Sequence, residues 1–500
     1  MWIHHVIGTH LEILGNPSEK SGIRAYQKEN MTTLAAQQHH QAIKKYYDTE
    51  PKQTEFSRYY QSLLAHRYNL LISPESRVLE IGCGEGELLS QIKAKSRVGI
   101  DLSPHQIERG RQLHPELDLR EGVGESLQME DGPFDVIIIS DTLNEAADVE
   151  ELLRRLHVVS HRGTRLIINI YNTLWYPFLR LARSLGLAAP RPVSSWLSRQ
   201  DVINLCVLAD WEIFKSFGQI LLPLPLGFLS GFVNRWMAPL ANWACLSIFL
   251  IGRKRTPARR DPKCVSVVVP ARNEAGSIAQ TIERVPRLGE ETELIFIEGH
   301  SKDNTWEVIS ALPDTFANGR IVKMRQTGKG KGNAVIEAFR VASGDIVTIL
   351  DADLTMPPEE LPKYIEVLAS GKADCANGVR LVYPMDREAM RFANLCANKG
   401  FSLIFSWLLG QPVKDTLCGT KTLWREDYEK IDRNRNYFGD FDPFGDFDLL
   451  FGADKQNLKI MDIPIRYKER FYGETNIQRW RSGVILSRMV IFAARRLKFV

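Results

Sequence analysis

Short apolar runs alternate with segments of helical periodicity along most of this 500-residue chain. In the amino-terminal half, four β-rich runs occur at residues 77–81, 97–100, 134–139 and 165–170. Alternation of this kind predicts a parallel sheet covered by helices, in which ligands bind beyond the carboxyl ends of the strands. A second α/β pattern begins at residue 264. The pattern therefore predicts an α/β protein of two domains.

A basic, proline-containing stretch at residues 253–262 separates the two patterns and indicates a linker. The segment before it, residues 220–251, is the most apolar of the chain. Prolines, an arginine and an asparagine interrupt it well short of the roughly 20 apolar residues that a membrane span requires. The predicted units are a weakly structured lead-in at 1–44, a first domain at 45–254, a linker at 255–262, a second domain at 263–478 and a helix at 479–500.

The overall composition narrows the class of protein. Hydrophobic residues make up 44% of the chain and charged residues 25%, which is typical of a soluble globular protein. The net charge of +4 is too small to indicate nucleic-acid binding. The seven cysteines are scattered and form no C-x-x-C pair, which favours reduced thiols in the cytosol over disulfides or zinc. The amino terminus shows no basic region followed by an apolar core, so we expect no secretory signal.

The first strand of the first domain ends in a glycine-rich turn, Glu80-Ile81-Gly82-Cys83-Gly84-Glu85-Gly86. Dinucleotide sites use G-x-G-x-x-G, whereas these glycines fall at every second residue. The signature resembles motif I of the class I S-adenosylmethionine-dependent methyltransferases, which have a Rossmann-like fold, and the resemblance extends over residues 45–254. Glycines let the backbone pass close under a bulky ligand, and Glu80 can attract the ammonium group of the cofactor. The plainer alternative is a structural turn between strand and helix.

The resemblance implies further cofactor contacts in the same order along the chain. Asp101 matches the acidic residue that binds both ribose hydroxyls, and the loop with Glu125 matches the one beside the adenine, where Val123 replaces the usual aspartate. Ser140 follows the fourth strand, on the side of methionine and substrate. The implied cofactor-binding residues are Glu80, Gly82, Cys83, Gly84, Gly86, Asp101, Leu102, Glu125 and Ser140. Methyl transfer needs mainly alignment, so the lack of an obvious base does not exclude it.

In the second domain, the apolar strand 346–350 ends in Asp351-Ala352-Asp353. Residues i and i+2 of an extended chain face the same way, so Asp351 and Asp353 can share one divalent ion. Mg²⁺ takes one or two carboxylates together with substrate phosphates, which indicates a nucleoside-diphosphate site. The alternative is a loop that caps the helix opened by Pro357 and Pro358.

With the strand ends at 264–274 and 294–305, this motif resembles the family 2 glycosyltransferases of GT-A fold (nucleotide-diphospho-sugar transferases). The similarity is strongest to polyprenyl-phosphate sugar synthases of the dolichol-phosphate mannosyltransferase type, over about residues 262–478. The resemblance implies sugar transfer with inversion, and Mg²⁺ or Mn²⁺ held by Asp351 and Asp353. The implied nucleotide-sugar residues are Pro270, Ala271, Asn273, Glu274, Glu298, Asp303, Lys329, Asp351, Ala352 and Asp353. Lys331 lies in the same basic loop as Lys329, and the alternative for that loop is a solvated, flexible one.

The same family implies an acceptor site after the metal motif. Arg380, Arg391 and Arg470 are expected to contact an acceptor phosphate, since an arginine fork pairs well with phosphate oxygens. Asp446 and Asp448 stand where inverting members place a catalytic base, and the alternative for either is a helix cap. Thr355 replaces the glutamine that often continues the metal motif, which leaves a third metal ligand open.

The carboxy-terminal residues 477–500 contain no acidic side chain and place three arginines on one helical face. Such a helix binds in the plane of an anionic membrane or packs on its own domain. The sequence as a whole predicts a bifunctional transferase, either cytoplasmic or peripheral on the cytoplasmic face of a membrane. In the alternative, the first domain is a non-catalytic S-adenosylmethionine-binding or regulatory module.

Overall fold

The structure is a computed structural model. It describes residues 37–48, 55–128, 132–184, 196–255, 259–380, 392–416, 418–434, 447–468 and 479–500.

The first domain is built on a mixed sheet that has seven strands in the described residues, in the order β3-β2-β1-β4-β5-β7-β6. The strands are β1 (Arg77–Ile81), β2 (Ser96–Asp101), β3 (Asp118–Glu121), β4 (Phe134–Ser140), β5 (Ser160–Tyr171), β6 (Trp211–Gln219) and β7 (Ser247–Lys254). The strands from β1 to β5 pair in parallel, and β7 runs antiparallel to β5 and β6. Strand β1 lies between β2 and β4, where the chain order reverses. Ligands bind at such a switch point.

Helices cover both faces of this sheet. They are α1 (37–48), α2 (Glu55–Leu71), α3 (Glu87–Gln91), α4 (Pro104–Leu113), α5 (Val149–Arg155), α6 (Tyr176–Ser184), α7 (Arg199–Leu208) and α8 (Phe228–Phe232). Local sequence sets several of their starts. Ser103 caps α4 by accepting a hydrogen bond from Gln106 N, and Pro104 is the first residue of that helix. Ser198 forms a capping box with Asp201 at the start of α7.

Helix α1 corrects one expectation. The lead-in 1–44 was expected to be weakly structured, but the residues from 37 onward form a helix, and Ile43 on it is buried. Burial of an apolar side chain against the domain stabilises a helix whose own sequence, rich in histidine and glutamine, gives little sign of it.

The second domain is also built on a mixed sheet. Its eight strands in the described residues have the order β10-β11-β9-β8-β12-β14-β13-β15. The strands are β8 (Cys264–Ala271), β9 (Glu291–Glu298), β10 (Thr315–Phe316), β11 (Gly319–Arg325), β12 (Ile346–Ile349), β13 (Cys375–Val379), β14 (Lys421–Trp424) and β15 (Ile460–Pro464). Strands β11, β9, β8 and β12 are parallel, and β14 is antiparallel to β12 and β13. Three parallel strand ends therefore meet where the donor residues were predicted.

The helices of the second domain are α9 (Ile278–Arg284), α10 (Thr305–Ser310), α11 (Lys331–Val341), α12 (Leu361–Ala369), α13 (Phe392–Leu409), α14 (Arg425–Arg433), α15 (Phe447–Lys455) and α16 (Arg479–Leu497). Leu486, Met489 and Ala493 on α16 are buried in one apolar cluster with residues of α13 and α15. This side of α16 therefore packs on the domain. Among the described residues, no helix is long and apolar enough to cross a membrane.

Buried ion pairs join the two domains. Arg165 and Arg253 of the first sheet both contact Asp374, which precedes β13, at 2.8 and 3.0 Å. Lys215 on β6 pairs with Asp454 on α15 at 2.6 Å, and both side chains are almost fully buried. Burial disfavours the charge on Asp374, but the two arginines outweigh it and hold its pKa below the usual range. The interface is thus built from matched charges, which are costly to break singly.

Candidate functional sites

The turn after β1 needs glycine. Gly82, Gly84 and Gly86 all have positive φ angles of 71°, 54° and 82°, a backbone conformation that strains residues with a side chain. A Cβ on Gly82 would also collide with the side chain of Thr142. The turn therefore packs bare backbone against the end of β4 at the switch point.

Asp101 at the end of β2 is held by this turn. Its Oδ2 accepts a hydrogen bond from Gly84 N at 2.8 Å, and its Oδ1 accepts one from Ser103 N at 2.9 Å. Burial raises the pKa of Asp101, although these two backbone donors act to lower it. The carboxylate therefore has a set orientation beside the glycine turn, where the sequence predicts ribose binding.

Glu80 on β1 is buried, with 2% of its surface exposed. Its Oε2 atom has no hydrogen-bond partner among the described residues. Burial raises the pKa of Glu80 well above its usual range, and the charge of Asp101 raises it further. A buried acceptor beside a second carboxylate favours a cationic ligand, so these residues fit S-adenosylmethionine, which carries a sulfonium and an ammonium group.

The other predicted cofactor residues lie around the same edge of the sheet. Cys83 is buried in the turn, and Leu102 follows Asp101 directly. Ser140 ends β4, and its hydroxyl is buried. Glu125 lies in the short turn after β3 and approaches His40 Nε2 at 3.4 Å.

Helix α1 lies across this edge, and the sequence did not reveal its role. His39 Nε2 donates to the carbonyl of Glu145 at 2.8 Å, and Tyr47 donates to the carboxylate of Glu145 at 2.7 Å. Ser103 donates to Asp48 at 2.6 Å. The helix therefore closes over the loops after β2 and β4. Tyr47 was the available sequence signal, but its partner Glu145 lies 98 residues away.

In the second domain, three parallel strand ends meet. Ala271 on β8 lies opposite Glu298 on β9, and Val268 pairs with Ile349 on β12. Leu350 N donates to Val268 O at 2.9 Å, which places Asp351 beside the end of β8. The predicted donor residues and the metal motif therefore occupy one edge of the sheet.

Asp351 stands in a strongly positive setting. Its Oδ1 lies 2.5 Å from Lys331 Nζ at the start of α11. Burial alone would raise its pKa, but three cations outweigh burial and hold the pKa of Asp351 below its usual range. These cations are Lys331, Lys421 and Arg380. A carboxylate kept ionised among cations suits a divalent ion bound together with a diphosphate.

The second aspartate of the motif is positioned by Thr355. The Thr355 hydroxyl and backbone N–H both donate to Asp353 Oδ1, at 2.8 and 3.1 Å. Leu354 between them has a φ of 55°, which turns the chain sharply after the strand. Thr355, which replaces the expected glutamine, is buried and orients Asp353.

In the part of the chain that the structure describes, no group of three or more His, Cys, Asp or Glu side chains is placed to hold a metal ion. Asp351 and Asp353 fit Mg²⁺ or Mn²⁺ in a different way. Such ions commonly use one or two carboxylates and complete their shell with substrate phosphates and water.

The loop that leads into β14 packs against the metal motif. A Cβ on Gly419 would collide with the side-chain ends of Asp351 and Lys331, so a larger residue there would displace them. Lys421, at the start of β14, is fully buried and donates to Cys418 O at 2.6 Å. The sequence analysis did not identify Lys421 as a site residue. Its charge acts on Asp351 from beneath the site.

The turns after β8 and β9 are bonded to each other. Asn273 N donates to Ser301 Oγ at 3.1 Å, and Lys302 N donates to Asn273 Oδ1 at 2.8 Å. Glu298 is buried and accepts from Ser301 N, while Asp303 accepts from Thr305 N at 3.1 Å. These carboxylates hold the two turns in shape at the edge where the nucleotide-sugar residues were predicted.

The remaining donor residues differ in placement. Ala271 and Glu274 are buried, Pro270 is half-buried, and Ala352 is buried between the two aspartates. The structure brings Lys331 to Asp351, whereas Lys329 is exposed.

The predicted acceptor residues are described only in part. Arg380 forms a bidentate pair with the buried Asp415, at 2.7 and 2.9 Å, so much of its fork is already engaged. Asp448 is buried in the first turn of α15. Arg391, Arg470 and Asp446 lie outside the described residues.

Comparison with known proteins confirms the two families. Residues 56–216 match the family model of a methyltransferase domain, and residues 266–432 match that of glycosyl transferase family 2. Dolichol-phosphate mannosyltransferase from Pyrococcus furiosus is 29% identical over 220 residues, covering 43% of this chain and 59% of that protein. Low-salt glycan biosynthesis hexosyltransferase Agl6 from Haloferax volcanii is 32% identical over 225 residues, covering 44% and 51%. The chain thus spans between half and three fifths of these relatives.

Among solved structures, glucosyl-3-phosphoglycerate synthase from Mycobacterium tuberculosis, in complex with Mn²⁺, uridine diphosphate and glucosyl-3-phosphoglycerate, aligns with a TM-score of 0.34. The identity is 20%, over 47% of this chain and 80% of that chain. A similarity this weak carries no conclusion about the chain. The family matches and the two sheets show that a Rossmann-like methyltransferase domain precedes a family 2 glycosyltransferase domain of GT-A type.

Proposed function

We propose that this protein is a bifunctional transferase. The first domain transfers a methyl group from S-adenosylmethionine. The second transfers a sugar, with inversion, from a nucleotide-diphosphate sugar to a polyprenyl phosphate or a glycan. The observation that carries the proposal is the setting of Asp351, a carboxylate held ionised among cations at the end of a central strand.

Sugar transfer requires that the leaving nucleoside diphosphate be stabilised. Asp351 and Asp353 would hold Mg²⁺ or Mn²⁺, which as a Lewis acid neutralises charge on the diphosphate. Lys331 lies close enough to Asp351 to pair with a phosphate oxygen of the leaving group, and the buried Lys421 adds positive potential beneath it. The bonded turns after β8 and β9 would hold the base and ribose.

The acceptor decides whether a base is needed. A polyprenyl phosphate is already ionised at neutral pH and attacks without one, whereas a sugar hydroxyl would need a carboxylate such as Asp446 or Asp448. We favour the lipid phosphate because the curated relatives include a dolichol-phosphate mannosyltransferase. With this acceptor, we expect the protein to work as a peripheral protein at the cytoplasmic face of a membrane.

Methyl transfer is assigned to the edge around Glu80. A bound S-adenosylmethionine would supply the electrophilic methyl group. Glu80 would accept a hydrogen bond from its ammonium group, and Asp101 would accept from the ribose hydroxyls. Helix α1 lies over the loops that flank this edge and would shield the cofactor from water.

The glycosyltransferase proposal is tested with purified protein, a lipid extract and a panel of nucleotide sugars, followed by mass spectrometry of the products. We expect a sugar-phosphate lipid that forms only with added Mg²⁺ or Mn²⁺. The variant Asp353→Ala should lose this product. Unchanged activity in that variant, or activity that persists in excess chelator, would refute the metal assignment.

A non-catalytic first domain is the second candidate, because Val123 departs from the usual adenine loop. Calorimetry with S-adenosylmethionine, and a labelled-methyl assay on the same extract, separate the two. Binding with methyl incorporation supports the enzyme, and binding without incorporation supports the regulatory module. If millimolar S-adenosylmethionine does not bind, both the enzyme and the S-adenosylmethionine-binding module are refuted.

Both domains are expected to serve one glycolipid or glycan pathway, because fusion raises the effective concentration of successive enzymes. Labelled methyl groups should then appear on a lipid or glycan. Their appearance solely on an unrelated small molecule would contradict this proposal.

A further inference from the structure

The first domain exposes an unusual number of large apolar side chains. They lie in the segment between β6 and β7 and around α6. Phe228 is 87% exposed, Trp243 75%, Leu240 69% and Phe178 65%. Leu174, Leu181, Leu229, Phe232, Trp236 and Met237 are also exposed. We call residues 174–181 and 224–243 together the apolar face. Apolar clusters of this size on a protein surface mark a site of interaction.

The two segments of the apolar face are bonded together. Asn172 Nδ2 donates to the carbonyls of Trp243 and Cys245 at 2.8 and 2.9 Å, and Trp175 Nε1 donates to Ala244 O at 2.9 Å. The two segments therefore form one continuous surface.

The apolar face is also built to keep its shape. Asn234 is buried and accepts from the backbone N–H groups of Leu221 and Leu222, at 2.9 and 2.8 Å. Ser230, fully buried, accepts from Leu226 N at 3.0 Å. Polar side chains point inward and satisfy the backbone while the aromatic ones point outward. This is the reverse of the usual arrangement at a water-facing surface.

The surface continues onto the second domain. Trp407 Nε1 on α13 donates to Pro239 O at 3.1 Å, and one turn earlier on that helix Leu403 is 75% exposed. Arg235 donates to Phe499 O at 3.1 Å, and Trp236 stacks on Phe499 with ring centroids 5.1 Å apart. Both domains therefore contribute to the same side of the molecule.

The charge of this region has one sign. The sequence contains no aspartate or glutamate from 152 to 200, from 213 to 260 or from 475 to 500. These three stretches supply the apolar face and the neighbouring helix α16. The arginines in them that face solvent include Arg180, Arg235, Arg488 and Arg495. Exposed aromatic groups with arginines and no carboxylates match a bilayer that contains anionic lipids.

We propose that the apolar face is a docking surface for an anionic lipid bilayer. This proposal goes beyond the proposed function because it assigns membrane contact to the methyltransferase domain. Only the lipid acceptor of the second domain depends on the proposed function. The sequence left α16 open between a membrane-surface helix and a helix packed on its own domain, and much of its apolar side is buried within the second domain. Phenylalanine, leucine and tryptophan would enter the interface, and the arginines would meet the phosphate groups.

The experiment is co-sedimentation of the full chain with two kinds of vesicle. One contains phosphatidylcholine alone, and the other also contains about 30 to 40 mole percent phosphatidylglycerol, which makes its surface strongly anionic. We expect binding to the anionic vesicles that weakens as NaCl is raised. A triple variant, Phe228→Ser, Leu240→Ser and Trp243→Ser, should bind at least about tenfold more weakly, because each removes a large apolar group from the interface. Leu113→Ser, which changes a 56% exposed leucine on α4, is the matched control and should bind normally.

Calorimetry with S-adenosylmethionine and a melting curve check that each variant is folded. Should the triple variant unfold, Arg180→Glu and the salt dependence of the wild type test the same surface. Equal binding of wild type and triple variant to vesicles would overturn the proposal. The proposal would also be overturned if the wild type does not bind vesicles but forms a dimer by light scattering, and if the triple variant is a monomer. Sugar transfer to a detergent-dispersed acceptor is measured in parallel, so failure of docking is distinguishable from failure of the proposed function.

Discussion

The end of β1 and the end of β12 both present a carboxylate, buried at Glu80 and half-buried at Asp351, yet their electrostatic settings are opposite. Glu80 faces Asp101, and burial with this second negative charge raises the pKa of Glu80. Asp351 faces Lys331, Lys421 and Arg380, which hold its pKa down. At the first edge the charge that acts on Glu80 is negative, which favours a cation. The second already has cations and favours a polyanion that arrives with a metal.

The contrast shows that a sequence motif identifies the carboxylate, whereas residues distant in sequence determine which ligand the carboxylate favours. In both domains an acidic residue ends a strand beside a tight turn. What separates them is the side chain that each fold brings in from elsewhere. Lys421 comes from a strand 70 residues beyond Asp351 in the sequence. The following changes break or sharpen this contrast, beginning with the largest expected effect.

The largest effect is expected for Asp351→Asn, which keeps the shape of the side chain and removes its charge. Sugar transfer should fall by about a hundred- to a thousandfold, because the leaving diphosphate loses its metal-binding carboxylate. Binding of S-adenosylmethionine should stay unchanged. Initial rates with added Mn²⁺ and calorimetry measure the two. Asp314→Asn, at an 88% exposed side chain in the same domain, should keep the full rate. Equal losses in both variants would contradict the assignment.

Asp374→Ala tests a third carboxylate, which has two arginine partners and no ligand. Its loss leaves Arg165 buried without the carboxylate that it pairs with, while Arg253 keeps Glu212 at 3.3 Å. The free energy of unfolding should fall by about 3 to 5 kcal/mol. Denaturant unfolding followed by tryptophan fluorescence measures this loss. Glu366→Ala, at an exposed ion pair, is the control and should unfold nearly as the wild type does. A loss of sugar transfer without a loss of stability would show that Asp374 serves the reaction instead.

Two neighbouring lysines test the role of positive charge beside Asp351. Lys331→Met should reduce kcat/KM for the nucleotide sugar by about ten- to a hundredfold, because a close charge pairing with the leaving phosphate is lost. Lys329→Met, two residues away and exposed, should change it by less than about twofold. Steady-state kinetics of both variants decide this. The reverse ranking would restore the sequence-based choice of Lys329.

Glu80→Gln sharpens the anion side and is expected to have opposite effects on stability and binding. Because the folded-state pKa of Glu80 is raised, the unfolded chain releases this proton more readily, so the carboxyl lowers stability as pH rises above its usual pKa. The variant without cofactor should therefore melt higher than the wild type at pH 7.5, and the difference should shrink toward pH 4. Its affinity for S-adenosylmethionine should fall by about tenfold, since the ammonium group loses a charged partner. Melting curves and calorimetry across this pH range measure both, and a lower melting temperature of the variant at pH 7.5 would contradict the raised pKa.

The two folds were predictable from sequence because alternating strand and helix patterns are local. The runs at 77–81 and 134–139 fall within β1 and β4, and the apolar run before Asp351 is β12. The glycine spacing after β1 was equally readable, because positive φ angles demand glycine at defined positions.

The surroundings of each site were not predictable, because they depend on contacts between distant segments. Nothing local to Lys421 indicates that it is buried beneath Asp351, and Lys331 and Lys329 are indistinguishable by sequence alone. The role of Thr355 was equally hidden, since its hydroxyl bonds to Asp353 only once Leu354 turns the chain. Helix α1 was missed because its stability comes from packing over loops far along the chain.

The pairing of Asp374 with two arginines from the other domain has a consequence for the integrity of the molecule. Between Lys254 and Cys264 the chain crosses from one domain to the other, but charges elsewhere hold the halves together. A protease that cuts this crossing should therefore yield two fragments that migrate as one species in a native gel. They should separate only in denaturant, so the two halves could also be expressed as separate genes and still assemble.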